Sequence, residues 1–193
     1  MKKLRIHIVP AAFIALALAA SNAHAQAPAA PATPATTAPA ATPKPKALAD
    51  PEKKFFKDVS EALLIEQKFA LMGSKDAKGK ETKDATSKIN EDLKKVWEKF
   101  ATLSMEKGAT IAQEVPKSDA SKAERISKQK DEKFDKDLLD DLGKEAKKTT
   151  RLFENKTLTD PEVKQFASDW APTIKGHEPA IEKAAKAVGK KGN

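Results

Sequence analysis

Most charged side chains in this 193-residue chain fall where a helix would turn them to water, but two do not. Glu66 sits in the apolar register of Phe56, Val59, Leu63 and Ala70. His177 sits in a second such register, between Ile174 and Ile181. A carboxylate and an imidazole turned toward one apolar interior have a short list of chemistries. They can hydrogen-bond each other or a buried water, supply ligands to a metal, or move a proton for a nucleophile. The first reading asks for nothing beyond the two residues, and it is the one expected here: Glu66 and His177 as an interior polar pair.

The other chemistries need more groups. A metal such as zinc, manganese or iron wants three or four donors. The additions within reach of the same interior are Glu145, on the flank of a third apolar stripe, and Asp92, on the edge of another. Glu66, His177 and Glu145 are therefore the candidate metal ligands, and no cofactor is expected. Catalysis has fewer resources. The chain has no cysteine and no tyrosine, and a Ser–His–acid arrangement could use only His177 once an N-terminal leader holding His7 and His24 is removed. No Gly-x-Ser-x-Gly turn presents a nucleophile. The stretch from Gly73 to Gly79 lacks the spacing of a phosphate loop and follows a helical pattern, not a strand. An enzyme is not expected.

The elements that must position the pair are helices, since four long segments carry helical periodicity and none alternates like a strand. The first opens at Asp50-Pro51-Glu52, read as an N-cap followed by proline, and ends in a polar connection from Gly73 to Gly79. The second runs through Ile89, Leu93, Val96, Phe100 and Leu103 and stops near Gly108. Ser118 or Asp119 starts a short helix. The third begins near Phe134-Asp135 and reads Asp135, Leu139, Leu142, Ala146, Thr149 and Phe153, with Leu138 and Leu152 widening its face. Thr159-Asp160-Pro161-Glu162 opens the fourth as a capping box. That segment reads Val163, Ala167, Trp170, Ile174, His177, Ile181, Ala184 and Val188, with Pro172 and Pro179 expected to kink or interrupt it. Steps of three and four throughout predict a four-helix bundle over 50–188 with one extra short helix. Three long helices with a docked fourth fragment is the alternative architecture.

The ends of the chain are of another kind. Lys2, Lys3 and Arg5 precede an apolar run from Ile8 to Ala20, and Ala23-His24-Ala25 offers a cleavage site after Ala25. Residues 1–25 thus read as a signal peptide, too short in its apolar run to span a bilayer. Residues 26–49 hold six of the twelve prolines and ten alanines, the composition of a disordered, polyproline-like linker or tether. Residues 189–193 read as a flexible tail. Without cysteine there is no lipoprotein anchor and no disulfide. The net charge of +8 loses its meaning when divided along the chain. The leader holds three of the 36 basic residues and Lys44 and Lys46 two more, which leaves 31 against 28 acidic ones, interspersed. That is a solvated helical surface and not a nucleic-acid face.

The order of motifs resembles a known family. Phe134-Asp135, Leu152-Phe153, Asp160-Pro161-Glu162-Val163, Phe166-Ala167, Pro172, Ile174 and His177 are similar to the exported, ferritin-like bacterial family catalogued as domain of unknown function 4142. Its members are often labelled predicted outer membrane proteins. Glu66 matches the glutamate of that family's first helix, Leu103 with Lys107-Gly108 its helix ending, and Asp92 the acid of its Asp-His pair. The resemblance implies a ferritin-like bundle whose interior, in relatives, holds polar groups. This chain departs from the pattern at three of them: Leu93 and Ala146 stand where the family has histidine, and Leu138 where it has tyrosine. The expectation is a non-enzymatic, periplasmic or envelope-associated binding or structural module, with no transmembrane anchor. The rival expectations are a metal-binding or storage bundle with a degenerate site, and a periplasmic chaperone.

Overall fold

A computed structural model describes residues 47–191, with side chains through Gly189. The expected signal peptide and almost all of the expected linker lie outside the described residues. The chain there forms six helices and no strand: α1 (Asp50–Asp76), α2 (Lys80–Glu106), α3 (Lys117–Ser127), α4 (Asp131–Phe153), α5 (Pro161–Lys175) and α6 (His177–Lys191). The stripes read from the sequence face inward. Phe56, Val59, Leu63, Ile89, Leu93, Val96, Phe100, Leu139, Leu142, Ala146, Ile174 and Ile181 are all buried, and Trp170 and Val188 pack half-buried at its margin.

The four bundle members are α1, α2, α4 and the pair α5/α6. α1 lies beside α2 and α4, and α5/α6 close the ring between α2 and α4. Contacts at the two ends fix direction. Phe55 at the start of α1 meets Phe100 near the end of α2 and Phe153 at the end of α4, with ring centroids 6.4 and 6.0 Å apart. At the other end Asp135, in the first turns of α4, reaches the α1–α2 turn. So α2 and α4 both run antiparallel to α1, and the connection 107–130, which contains α3, must return the length of the bundle. The order is up, down, down, up, with one long crossover. Ser60 on α1 pins that crossover by accepting the Ala112 N–H at 2.8 Å, and α3 buries Ala123 and Ile126 against α1 and α4.

Several helix ends differ from the sequence expectation. Asp50 is not a cap: it is the first residue of α1, follows Ala49 at the cap position, and pairs with Lys53 at 2.9 Å. α1 continues through Gly73 to Asp76, so the polar connection shrinks to residues 77–79. Gly73 is there because α2 and α4 come close: a Cβ would stand 2.5 Å from the Thr86 methyl and 2.7 Å from Leu138. α2 ends as expected before Gly108, which takes φ +61. α3 starts at Lys117 behind Pro116, with no side-chain cap from Ser118 or Asp119, and α4 starts three residues early at Asp131. α6 runs on to Lys191, beyond the expected end of the bundle at 188.

The fourth member is two helices. Pro172 stays inside α5 without ending it, and the break falls at Gly176, whose N–H bonds back to Pro172 O and Thr173 O. The reason lies in Pro179. In a continuous helix it would remove a donor and collide with the carbonyl four residues earlier. Restarting at His177 puts Pro179 in a first turn, where no donor is required.

The opening of α5 shows how the ends are held. Asp160 caps it, its Oδ1 accepting the N–H groups of Glu162 and Val163. The reciprocal half of the capping box comes from another helix. Glu52, fully buried on α1, accepts from the Thr159 N–H, the Thr159 hydroxyl and the Asp160 N–H. Burial would push the Glu52 carboxyl up, but these bonds outweigh it and hold it below the usual glutamate value. Asp160 is likewise pushed up by burial and held down more strongly by Lys107 and its capped N–H groups. A depressed folded pKa means stability that is present above the unfolded value and lost as pH falls through the folded one. Unfolding midpoints followed from pH 7 downward should therefore fall as the pH drops below about 4.5. Glu52→Gln should cost about 1.5–3 kcal/mol at pH 7 and flatten that acid limb; an unchanged limb would place the acid sensitivity elsewhere.

Candidate functional site

The interior of the bundle holds one pair of polar side chains that meet across its diagonal. Glu66 lies midway along α1 and His177 opens α6, so they come from helices that are not neighbours in the ring. His177 Nδ1 and Glu66 Oε1 are 2.6 Å apart, with the side chains 3% and 0% exposed. With Glu66 ionised, Nδ1 carries the proton and donates it. The break at Gly176 makes this possible, because it frees the first turn of α6 to be placed independently of α5. Glu66 Oε2 and His177 Nε2 are also buried and have no partner within the protein. A polar atom left so is normally met by an internal water.

The other candidates are elsewhere. Glu145 is half-buried on α4 and turned toward its own helix and α3, its Oε2 3.6 Å from Lys148 Nζ. Asp92 is paired with Lys88 at 2.9 Å on α2. Among the described residues no group of three or more His, Cys, Asp or Glu is arranged to hold a metal. Glu66, His177 and Glu145 thus do not form a ligand set. The positions that differ from the resembled pattern explain why. Leu93, Leu138 and Ala146 are each 0–1% exposed and fill the interior with hydrocarbon. Two donors remain where a metal wants at least three, so the residues present do not fit one.

Two further buried carboxylates were not singled out by sequence reasoning, although the signal was there. Glu52 precedes Phe56 by four residues and so belongs to the seam of Glu66. Asp135 heads the seam of α4. Asp135 is 2% exposed; its Oδ1 accepts the Lys78 N–H at 3.0 Å and its Oδ2 the Gly79 N–H at 2.6 Å. It closes the α1–α2 turn as an anion held by backbone donors. Chemically these are structural clasps: every Oε1 or Oδ atom so engaged is occupied by a backbone donor. Neither Glu66 nor His177 lines the α4–α6 groove or the groove beside α1 and Gly108.

Removing one member of the diagonal pair leaves the other buried and uncompensated. His177→Leu or Glu66→Leu should each cost about 3–5 kcal/mol in urea unfolding, and the double variant less than either. Additive costs would mean the two groups are not coupled. Leu93→Ala should cost about 2–5 kcal/mol, as a truncation in a packed core does; a variant as stable as the parent would contradict the burial of that position.

Comparison with known proteins yields one match. No curated protein and no solved structure matches the chain significantly. The family profile described as domain of unknown function, DUF4142, matches residues 35–184. It begins upstream of α1, within the Pro/Ala-rich segment, and ends inside α6. It takes in the diagonal pair, the Asp135 turn and the Glu52–Asp160 clasp. With most of its length covered, the chain belongs to the DUF4142 family.

Proposed function

We propose that this is an exported, non-enzymatic, ferritin-like bundle of the cell envelope that acts through its outer surface, as a binding or structural module. The observation that carries the reading is the sealing of its interior. The one histidine in the described chain is buried and engaged by Glu66, so its imidazole does not stand at the surface to meet a substrate. The single long crossover between α2 and α4 supports the ferritin-like reading, since that is how ferritin-like folds connect their second and third helices. Interior sites in such folds come from side chains projecting inward from several helices, and here Leu93 and Ala146 offer none.

Export rests on the basic n-region, the apolar run and Ala23-His24-Ala25. No described helix is long and apolar enough to cross a membrane. The chaperone alternative would need a contiguous apolar patch of several hundred Å². The large apolar side chains exposed among the described residues are Leu71 and Met105, which lie toward opposite ends of the bundle. That disfavours client binding by bare hydrocarbon.

The test is made on the protein recovered from an envelope fraction of a producing bacterium. Its N-terminus should read Gln26, and elemental analysis after purification without chelator should give well under one equivalent of zinc, manganese or iron. An intact Met1 in the cytoplasm would overturn export. Stoichiometric metal that is lost in His177→Ala would overturn the surface-acting reading in favour of the metal alternative.

A further inference from the structure

A groove of about 1010 Å³ runs between α4 and α6 and is not part of the interior pair. Its floor is Gly143, Ala185 and Val188 over the buried Leu139 and Ile181. α4 and α6 run antiparallel, and the Gly143–Ile181 approach sets their register: a Cβ on Gly143 would lie 3.5 Å from Ile181 Cγ2. Lys147 is therefore level with Glu178, and Lys144 with Glu182, on opposite walls. Neither pair closes across the groove. Lys144 turns back to Asp140 and Asp141 on its own helix, and Lys147, Glu178 and Glu182 have no ion-pair partner among the described residues.

Gly143 adds a second observation. It lies in mid-helix, where glycine is the poorest choice after proline. The 3.5 Å spacing is ordinary contact, so alanine would fit, and nothing among the described residues requires glycine there. Its absence leaves a notch in the groove floor through which another backbone can come close.

The α4 wall is mixed in charge, with Glu132, Asp137 and Asp140 beside its lysines, but Lys147 and Lys144 stand at the levels of Glu178 and Glu182 on the α6 wall. These matched levels flanking an apolar floor make a surface complementary to itself. A two-fold axis along the groove places α4 of one copy against α6 of the other without changing level. Lys147 then faces Glu178 of the second copy, and Lys144 faces Glu182, each contact occurring twice. We propose that the α4–α6 face is a homodimer interface, occupied by a second copy of this chain. Its size sets the strength. α6 is about 22 Å long and the two helices are together about 20 Å wide, which gives about half the 800 Å² per partner of a standard interface. The dimer is therefore weak and concentration-dependent.

Sedimentation velocity of the purified protein from roughly 10 μM to roughly 1 mM should show a shift from monomer to dimer. Gly143→Arg should abolish the shift with the helical spectrum and melting temperature retained. Should that variant not fold, Ala185→Arg, at an exposed groove position, serves the same purpose. Lys147→Glu and Glu178→Lys should each weaken dimerisation about tenfold or more, and the double reversal should restore it. Because the chain has no cysteine, Lys147→Cys mixed with Glu178→Cys should give a mixed disulfide dimer in preference to either alone. A monomer at every concentration would overturn the proposal. So would a dimer that survives both arginine variants, or charge reversals that fail to rescue each other.

Discussion

A carboxylate taken out of water must be given donors, and α1 is organised around that requirement. Glu52, Glu66 and Asp135 are all withdrawn from solvent, and each is answered by a different part of the chain. Glu52 receives two backbone N–H groups and a hydroxyl from the start of α5. Glu66 receives the imidazole at the start of α6. Asp135, on α4, receives the backbone of the turn that ends α1. An uncompensated buried charge costs several kcal/mol, which is a large part of a domain's whole stability. Alternative registers of these helices would strand at least one such charge. Hydrophobic stripes stepping by threes and fours tolerate sliding by a turn; these three contacts do not.

The same contacts give physical content to the family's motifs. Phe134-Asp135 and Asp160-Pro161 mark places where one helix satisfies the end of another, and Lys107, after α2, joins the second of them by pairing with Asp160 and Glu162. At the Asp160 end phenylalanines close the bundle, with Phe55, Phe56, Phe100, Phe153 and Phe166 in edge or tilted ring contact. Such residues report on helix-end chemistry and packing. Positions 93, 138 and 146, where the chain departs from the resembled pattern, carry buried hydrocarbon. Hydrocarbon at these positions is compatible with the fold because a buried apolar residue supports it as well as a buried polar one does.

The surface follows a plainer rule. Most of its ion pairs are between residues three or four apart on one helix, such as Lys88–Asp92 and Lys133–Asp137. Pairs of this kind stabilise their own helix by a few tenths of a kcal/mol and say little about tertiary arrangement. The walls of the α4–α6 groove differ because Lys147 and Glu178, at one level, have no ion-pair partner among the described residues.

The helices, their inward faces and the placement of Glu66 and His177 in the interior were all legible in the sequence, since a 3.6-residue period sorts each side chain to a face without reference to anything distant. Helix ends were less so. Gly73 reads as a break locally, yet it is a close-packing site against Thr86 and Leu138, which are distant in sequence. Asp50 reads as a cap and is not one, because Ala49 occupies that position. Glu52 and Asp135 stood in apolar register from the start, but a carboxylate near the start of a helix is ordinary there, and only the tertiary structure supplies the enclosing walls that make it buried. Pro179 implied an interruption somewhere; that it fell at Gly176, freeing His177 to reach across the diagonal to Glu66, was decided by packing of α6 against α2 and α4. The sequence by itself determined which residues face inward, because periodicity is local. Which inward residues meet was decided by the crossover and the break, because those set the relative position of helices far apart in the chain.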